Sequence, residues 1–294
     1  MIKLRGCGTA LVTPFLTDGS VDEKALRSLV AWQIESGIDF LVPCGTTGET
    51  PTLSHAEWRM VIETTIEVAA GRVPIVAGAT SYCTAEAVQK AVEVSNIKGV
   101  DAILTASPYY NKPTQQGQFQ HFEAIAEAVE KPLVIYNVPG RTGVNLEPST
   151  LQDLADLPNI EAVKEASGSI GQIADVCGRL PGFTVLSGDD ALVLPVISVG
   201  GHGVISVASN AFPREMASLT RAALNNEWEE AREIYHKYLA LMRANFLESN
   251  PIPIKAVLAM MGRIEENYRL PMCRMQPALR TKLEAIARAC GVVK

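Results

Sequence analysis

Lys164 is the residue that most invites a chemical reading, because it closes the apolar run Ile160–Val163. An ammonium whose stem begins in an apolar interior is costly unless it is paired or deprotonated. Desolvation lowers a lysine pKa, and the neutral amine adds to carbonyl groups to form Schiff bases. The same position suits a structural ion pair with a carboxylate such as Glu165, and the residues alone leave both readings open. Tyr136 carries a similar choice between a packing tyrosine with a bonded hydroxyl and a phenol that shuttles protons beside the lysine. Thr46 and Thr47 stand between Gly45 and Gly48. Glycines let a backbone approach a ligand closely, and hydroxyls with turn N–H groups suit a carboxylate, although a plain turn would read the same way. Arg141 falls in an expected loop before Thr142-Gly143, where its guanidinium could clasp a carboxylate or simply lie on the surface. Tyr109 and Tyr110 could stack on each other, contact another subunit or take part in catalysis.

Positioning such residues together requires elements that end at one rim. Short apolar runs alternate with longer segments of helical periodicity, the pattern of βαβ units and a parallel sheet. Eight strands are expected: Gly8–Thr13, Phe40–Cys44, Pro74–Ala79, Ala102–Ala106, Leu133–Asn137, Ala162–Lys164, Thr184–Ser187 and Gly203–Val207. Amphipathic segments separate them, among them Val21–Ser36 with Asp22 at its start and Ser54–Ala70 with the capping-box spacing Ser54…Glu57. Eight such pairs are the count of a (β/α)₈ barrel. The rival doubly wound sheet is disfavoured, since no G-x-G-x-x-G follows the first strand. The expected domains are a barrel over residues 1–225 and a C-terminal helical annex over 226–294, with helices near Trp228–Leu247, Ile254–Met261 and Pro277–Cys290. Barrel enzymes place their sites at the C-terminal ends of the strands. That rule gathers Gly45–Glu49, Ser107–Asn111, Tyr136–Gly143, Lys164–Gly168 and Ser187–Asp190 at one end.

Composition narrows the function classes. The chain has 294 residues, of which 47% are hydrophobic and 20% charged, and its net charge is −6. No basic stripe exists to neutralise phosphates, and no apolar run approaches the ~18 residues of a membrane span, so neither nucleic acid nor membrane is an expected partner. Six scattered cysteines and four histidines show no C-x-x-C or H-x-x-x-H spacing, so the sequence supports no metal site. Met1–Cys7 lacks the pattern of a signal peptide, which together with the cysteine usage leads to the expectation of a cytoplasmic protein with reduced thiols.

Together the segments resemble the dihydrodipicolinate synthase family. The match runs in order from Gly6 to about Leu283 and includes Gly45–Glu49, Tyr109-Tyr110-Asn111, Tyr136–Gly143, Val163–Ala166, Ser187-Gly188-Asp189-Asp190, Gly201–Ser206 and Asn250–Pro253. The resemblance implies that Lys164 forms an imine with pyruvate, and that the derived enamine attacks L-aspartate 4-semialdehyde on a route to lysine. It implies a proton relay of Tyr136, Thr46 and Tyr110, the last reaching in from a neighbouring subunit. Thr47, Gly188 and the backbone at Ile205 would hold pyruvate, and Arg141 the carboxylate of the semialdehyde. It further implies no metal or organic cofactor and a homotetramer built as a dimer of dimers. Relatives on this fold include aldolases and lyases that act on sugar acids. The doubled threonine and the Pro-Gly-Arg-Thr-Gly segment favour the synthase over these, and retention of Lys164 and Tyr136 argues against a non-catalytic barrel.

In some family members lysine inhibits at a site between subunits, which corresponds here to Thr50, Pro51, His55, Trp58, Tyr82, Glu86 and Tyr109. Tyr82 stands where sensitive enzymes usually carry an asparagine, and Trp58 replaces a histidine. The loss of an amide and the addition of a bulky indole weaken polar recognition, so weak or absent inhibition is expected.

Overall fold

The computed structural model describes residues 4–294, so the first three residues of the amino-terminal segment lie outside the described residues. Eight parallel strands occur in the expected order: β1 Gly6–Ala10, β2 Phe40–Val42, β3 Val76–Gly78, β4 Ala102–Ala106, β5 Leu133–Asn137, β6 Ile160–Glu165, β7 Thr184–Ser187 and β8 Gly203–Ser206. Apart from β2 and β3, sequence neighbours pair directly, and β1 pairs with β8 through the register Gly6↔Gly203 to Thr9↔Ser206. The β2–β3 seam is held by a parallel bridge, Leu41↔Ile75, and by the Gly78 N–H donating to the Pro43 carbonyl at 3.0 Å. A Cβ on Gly78 would sit 1.9 Å from the Cys44 carbonyl oxygen, so the seam closes only because this residue has no side chain. The result is the expected (β/α)₈ barrel.

The helices on the outside are α1 Glu23–Glu35, α2 His55–Ala69, α3 Thr84–Ser95, α4 Gln115–Ala128, the single turn α5 Pro139–Thr142, α6 Pro148–Ala155, α7 Ile170–Arg179, α8 Val193–Ser198 and α9 Pro213–Leu224. Local sequence accounts for their starts. The Asp22 carboxylate caps α1 by accepting from the Ala25 N–H at 2.9 Å, and Ser54 and Glu57 form both halves of a capping box on α2. Arg141, expected in a loop, lies instead in α5. Pro139 starts that turn, and Gly143, at φ 75°, ends it.

Alternation along the strands divides the apolar residues into two cores. The smaller fills the barrel with Ala10, Phe40, Val42, Val76, Leu104, Val134, Tyr136, Leu186 and Ile205. The larger lies between strands and helices and continues into three C-terminal helices, α10 Trp228–Ala244, α11 Ile252–Met260 and α12 Pro277–Ala289, through Tyr238, Leu241, Leu258 and Leu283. Each fully buried leucine or valine there contributes about 1.5–3 kcal/mol. The smaller core stops short of the C-terminal rim, where polar side chains take over.

Candidate active site

The centre of that rim is built from two adjacent strands. β5 and β6 pair with Tyr136 opposite Lys164 and Asn137 opposite Glu165. Since successive strand residues face opposite ways, Tyr136 and Lys164 enter the barrel while Asn137 and Glu165 turn outward. β6 runs one residue further than the sequence suggested, and that residue, Glu165, bears on the ion-pair reading of Lys164. The Glu165 carboxylate accepts from Asn137 Nδ2 at 3.1 and 3.0 Å, from the Ser167 N–H at 2.7 Å and from Gln172 Nε2 at 3.3 Å. It is fully engaged on the far side of the strand and makes no pair with Lys164. Among the described residues no carboxylate lies within pairing distance of the Lys164 amine, which sits 4.2 Å above the Tyr136 ring. Burial pulls its pKa down to about 7, with the Arg141 guanidinium adding to the effect and the Asp190 carboxylate opposing it. Burial likewise pushes the Tyr136 phenol up to about 12, against Arg141 and a hydrogen bond with Thr46. At neutral pH the pair is therefore an amine that can be a nucleophile and a phenol that keeps its proton.

Thr46 and Thr47 lie in a tight helical turn, Thr46–Gly48, directly after β2. The Thr47 hydroxyl accepts from Asn250 Nδ2 at 2.9 Å, and Arg141 Nη2 donates to the Asn250 backbone carbonyl at 3.2 Å. Asn250, on the approach to α11, thus ties the threonine turn to Arg141, a connection that the sequence reading missed. The remaining edge comes from β7 and β8. A Cβ on Gly188 would lie 2.7 Å from Ala166 Cβ and 3.3 Å from Lys164 Cε, so glycine is what leaves space beside the amine. Ile205 is buried in the barrel core opposite. Asp190 is buried as well, and its Oδ2 accepts from the N–H groups of Val207 at 3.1 Å and Ala208 at 2.9 Å just beyond β8. Burial raises its pKa to about 6.

Two hollows meet at Tyr136 and Arg141. One, of about 270 Å³, is lined by Thr46, Thr50, Pro51, Tyr109 and Thr142. The other, of about 460 Å³, is lined by Gly188, Asp189, Phe246 and Asn250. A further hollow, of about 570 Å³ beside Leu4, Thr184 and His202, is at the opposite end of the strands and contains none of these residues. Among the described residues no group of three His, Cys, Asp or Glu side chains is arranged to hold a metal ion.

Of the other residues singled out in the sequence, Tyr109 lines the first hollow and the rest lie apart from this centre. Tyr110 is 88% exposed, at φ 72°, and touches neither Tyr136 nor Thr46 of its own chain. Tyr82 and Tyr109 meet edge to face at 5.3 Å. His55 Nε2 lies 2.7 Å from a Glu93 oxygen, and the Glu86 carboxylate accepts from the Ser81 hydroxyl at 2.8 Å. Trp58 is a core residue whose indole N–H donates to the Gly78 carbonyl at 3.0 Å. The sequence reading also missed the Asn137–Glu165–Gln172 network and a buried ion pair between Lys255 and Glu49. A lysine within the apolar stretch Ile254–Met260 was the available signal for the second.

Comparison with known proteins agrees with this geometry. The profile of the "Dihydrodipicolinate synthetase family" matches residues 3–290. The chain is 71% identical to the 4-hydroxy-tetrahydrodipicolinate synthase of Koribacter versatilis, over 100% of this chain and 98% of that protein. It is 57% identical to that of Acidobacterium capsulatum, over 99% and 97%. Among solved structures it is similar to the chloride-inhibited dihydrodipicolinate synthase of Acinetobacter baumannii complexed with pyruvate. That likeness has a TM-score of 0.97 and 41% identity, and it covers 99% of this chain and 100% of that one.

Proposed function

The chain belongs to the dihydrodipicolinate synthetase family, and from that premise we propose that it condenses pyruvate with L-aspartate 4-semialdehyde to give 4-hydroxy-tetrahydrodipicolinate, with Lys164 as the Schiff-base nucleophile. The observation that carries the choice of nucleophile is a buried amine, drawn down to about 7, with no carboxylate partner among the described residues.

The neutral amine adds to C2 of pyruvate, and loss of water gives an imine. Its protonated form withdraws electrons, so a methyl proton leaves and an enamine forms. The enamine carbon adds to the aldehyde carbon of the semialdehyde. The amino group of that second substrate then displaces Lys164 from C2, which closes the ring and frees the amine. Tyr136 donates and recovers protons, with Thr46 next in the relay; a phenol near 12 is protonated between steps. Thr47, Gly188 and the backbone at Ile205 hold pyruvate. Arg141 takes the carboxylate of the semialdehyde, and its anchorage on Asn250 supports that role.

The exposed Tyr110 completes the relay of a neighbouring subunit in a homotetramer, a reading supported by a bare aromatic ring on strained backbone, beside Tyr109, whose ring meets that of the exposed Tyr82. Six unpaired cysteines fit a cytoplasmic enzyme. Borohydride reduction in the presence of pyruvate, followed by intact-mass measurement and peptide mapping, tests the mechanism. A single pyruvate-sized adduct on Lys164 is expected. Folded protein that acquires no adduct, or acquires it elsewhere, would refute Lys164 as the nucleophile.

A further inference from the structure

Lys255 is fully buried in α11, and the chemistry above does not use it. Its Nζ donates to Glu49 Oε1 at 2.5 Å and to the Thr13 carbonyl at 3.0 Å, and it lies over the Phe15 ring at 4.3 Å. Glu49 is equally buried and comes from the opposite end of the chain, two residues after Thr47. Its backbone is left-handed at φ 53°, a conformation that costs a non-glycine L residue energy and that its surroundings must enforce.

That backbone joins two tight turns, Thr46–Gly48 and Thr50–Thr52. The Glu49 N–H donates to the Thr46 carbonyl at 3.2 Å, and the Glu49 carbonyl accepts from the Thr52 N–H at 2.9 Å. Thr13, which receives Lys255 on its carbonyl, donates its hydroxyl to the Gly48 carbonyl at 2.7 Å. The Asn250 amide, shortly before α11, reaches the Thr47 hydroxyl. The C-terminal helices therefore grip the threonine turn at three successive residues: Thr47 through Asn250, Gly48 through Lys255 and Thr13, and Glu49 through Lys255 directly.

We propose that Lys255 and Glu49 are positioning residues for the reaction, a buried ion pair that holds the Thr46–Thr47 turn so that its hydroxyls face Tyr136 and the pyruvate. The pair makes the docking of the C-terminal helices a condition for an assembled proton relay. Without it the left-handed link at Glu49 relaxes toward ordinary backbone, and Thr46 rotates away from the phenol. The Lys164 amine, on a different strand, is untouched by that change. This inference rests on the assignment of Thr46 to the relay.

The test is a double-mutant cycle on turnover between Glu49→Gln and Thr46→Val, with pyruvate trapping at Lys164 measured in parallel. If the pair acts through the turn, each variant alone lowers kcat by about ten- to a hundredfold, the scale of a misplaced catalytic group. The double variant is then little worse than Thr46→Val, while borohydride still traps pyruvate on Lys164 in all three. Multiplicative losses, or an undiminished kcat in a Glu49→Gln protein that merely melts earlier, would overturn the positioning role. An undiminished kcat for Thr46→Val would overturn the relay reading itself, by a result that the first failure does not produce. If Glu49→Gln does not fold, Glu49→Gln/Lys255→Met removes both charges and takes its place in the same cycle, with the same outcomes expected.

Discussion

Lys164 in the barrel and Lys255 in the C-terminal helices are both buried lysines seated over aromatic rings, and burial lowers the pKa of each. They differ in what else surrounds the amine. Lys255 has a carboxylate at 2.5 Å and a carbonyl at 3.0 Å, and Glu49 pulls its pKa back up. Lys164 has no pairing carboxylate among the described residues and only the more distant charge of Asp190 to support it. The first is held in an ion pair and works as a fastener. The second can lose its proton near neutrality and work as a nucleophile. Burial thus supplies the pressure on a lysine, and the partner decides whether that pressure becomes structure or reactivity.

The largest effect that could break this contrast is on chemistry. Lys164→Ala should abolish pyruvate trapping and lower turnover by roughly 10⁴-fold or more, with little change in melting temperature. An adduct that persisted on Lys255 in this variant would erase the distinction between the two lysines. Next comes stability. Lys255→Met leaves the Glu49 carboxylate buried without its cation, so chemical denaturation should show a loss of about 3–5 kcal/mol while trapping at Lys164 survives. A Lys255→Met protein as stable as the parent would mean that the pair does not fasten the two regions.

The smallest effect sharpens the contrast through pH. Only the neutral amine attacks pyruvate, so the trapping rate at limiting pyruvate should rise with pH through about 7. The Asp190 charge holds the Lys164 pKa up, so Asp190→Asn should move that rise to lower pH, by less than about one unit. Below about 6, where Asp190 is itself protonated, the parent and variant profiles should converge. An unmoved profile would show that the Lys164 amine does not sense Asp190.

Much of this was legible in the sequence because its causes are local. The alternation of apolar strands with amphipathic helices is set by side-chain periodicity, and the eight βα units follow from it. The Ser54–Glu57 box and the Asp22 cap act over three residues and could be read directly. So could the pairing of an apolar run with a terminal lysine. Even the fate of Glu165 was within reach, since one more strand residue must point to the other face.

Tertiary structure decided what depends on contacts distant in sequence. Glu49 and Lys255 are 206 positions apart, and Thr47 and Asn250 are 203 apart. A lysine amid apolar residues announces that a partner exists, but only the packing of α11 against the rim selects which carboxylate it is. Trp58 fits a surface role in the chain of letters and lies in the core, because α2 turns that face toward β3. The reactivity proposed for Lys164 belongs to the same class. Its lowered pKa follows from burial that no pairing carboxylate among the described residues offsets, and periodicity along the chain carries no information about which charges a closed barrel brings close to its centre.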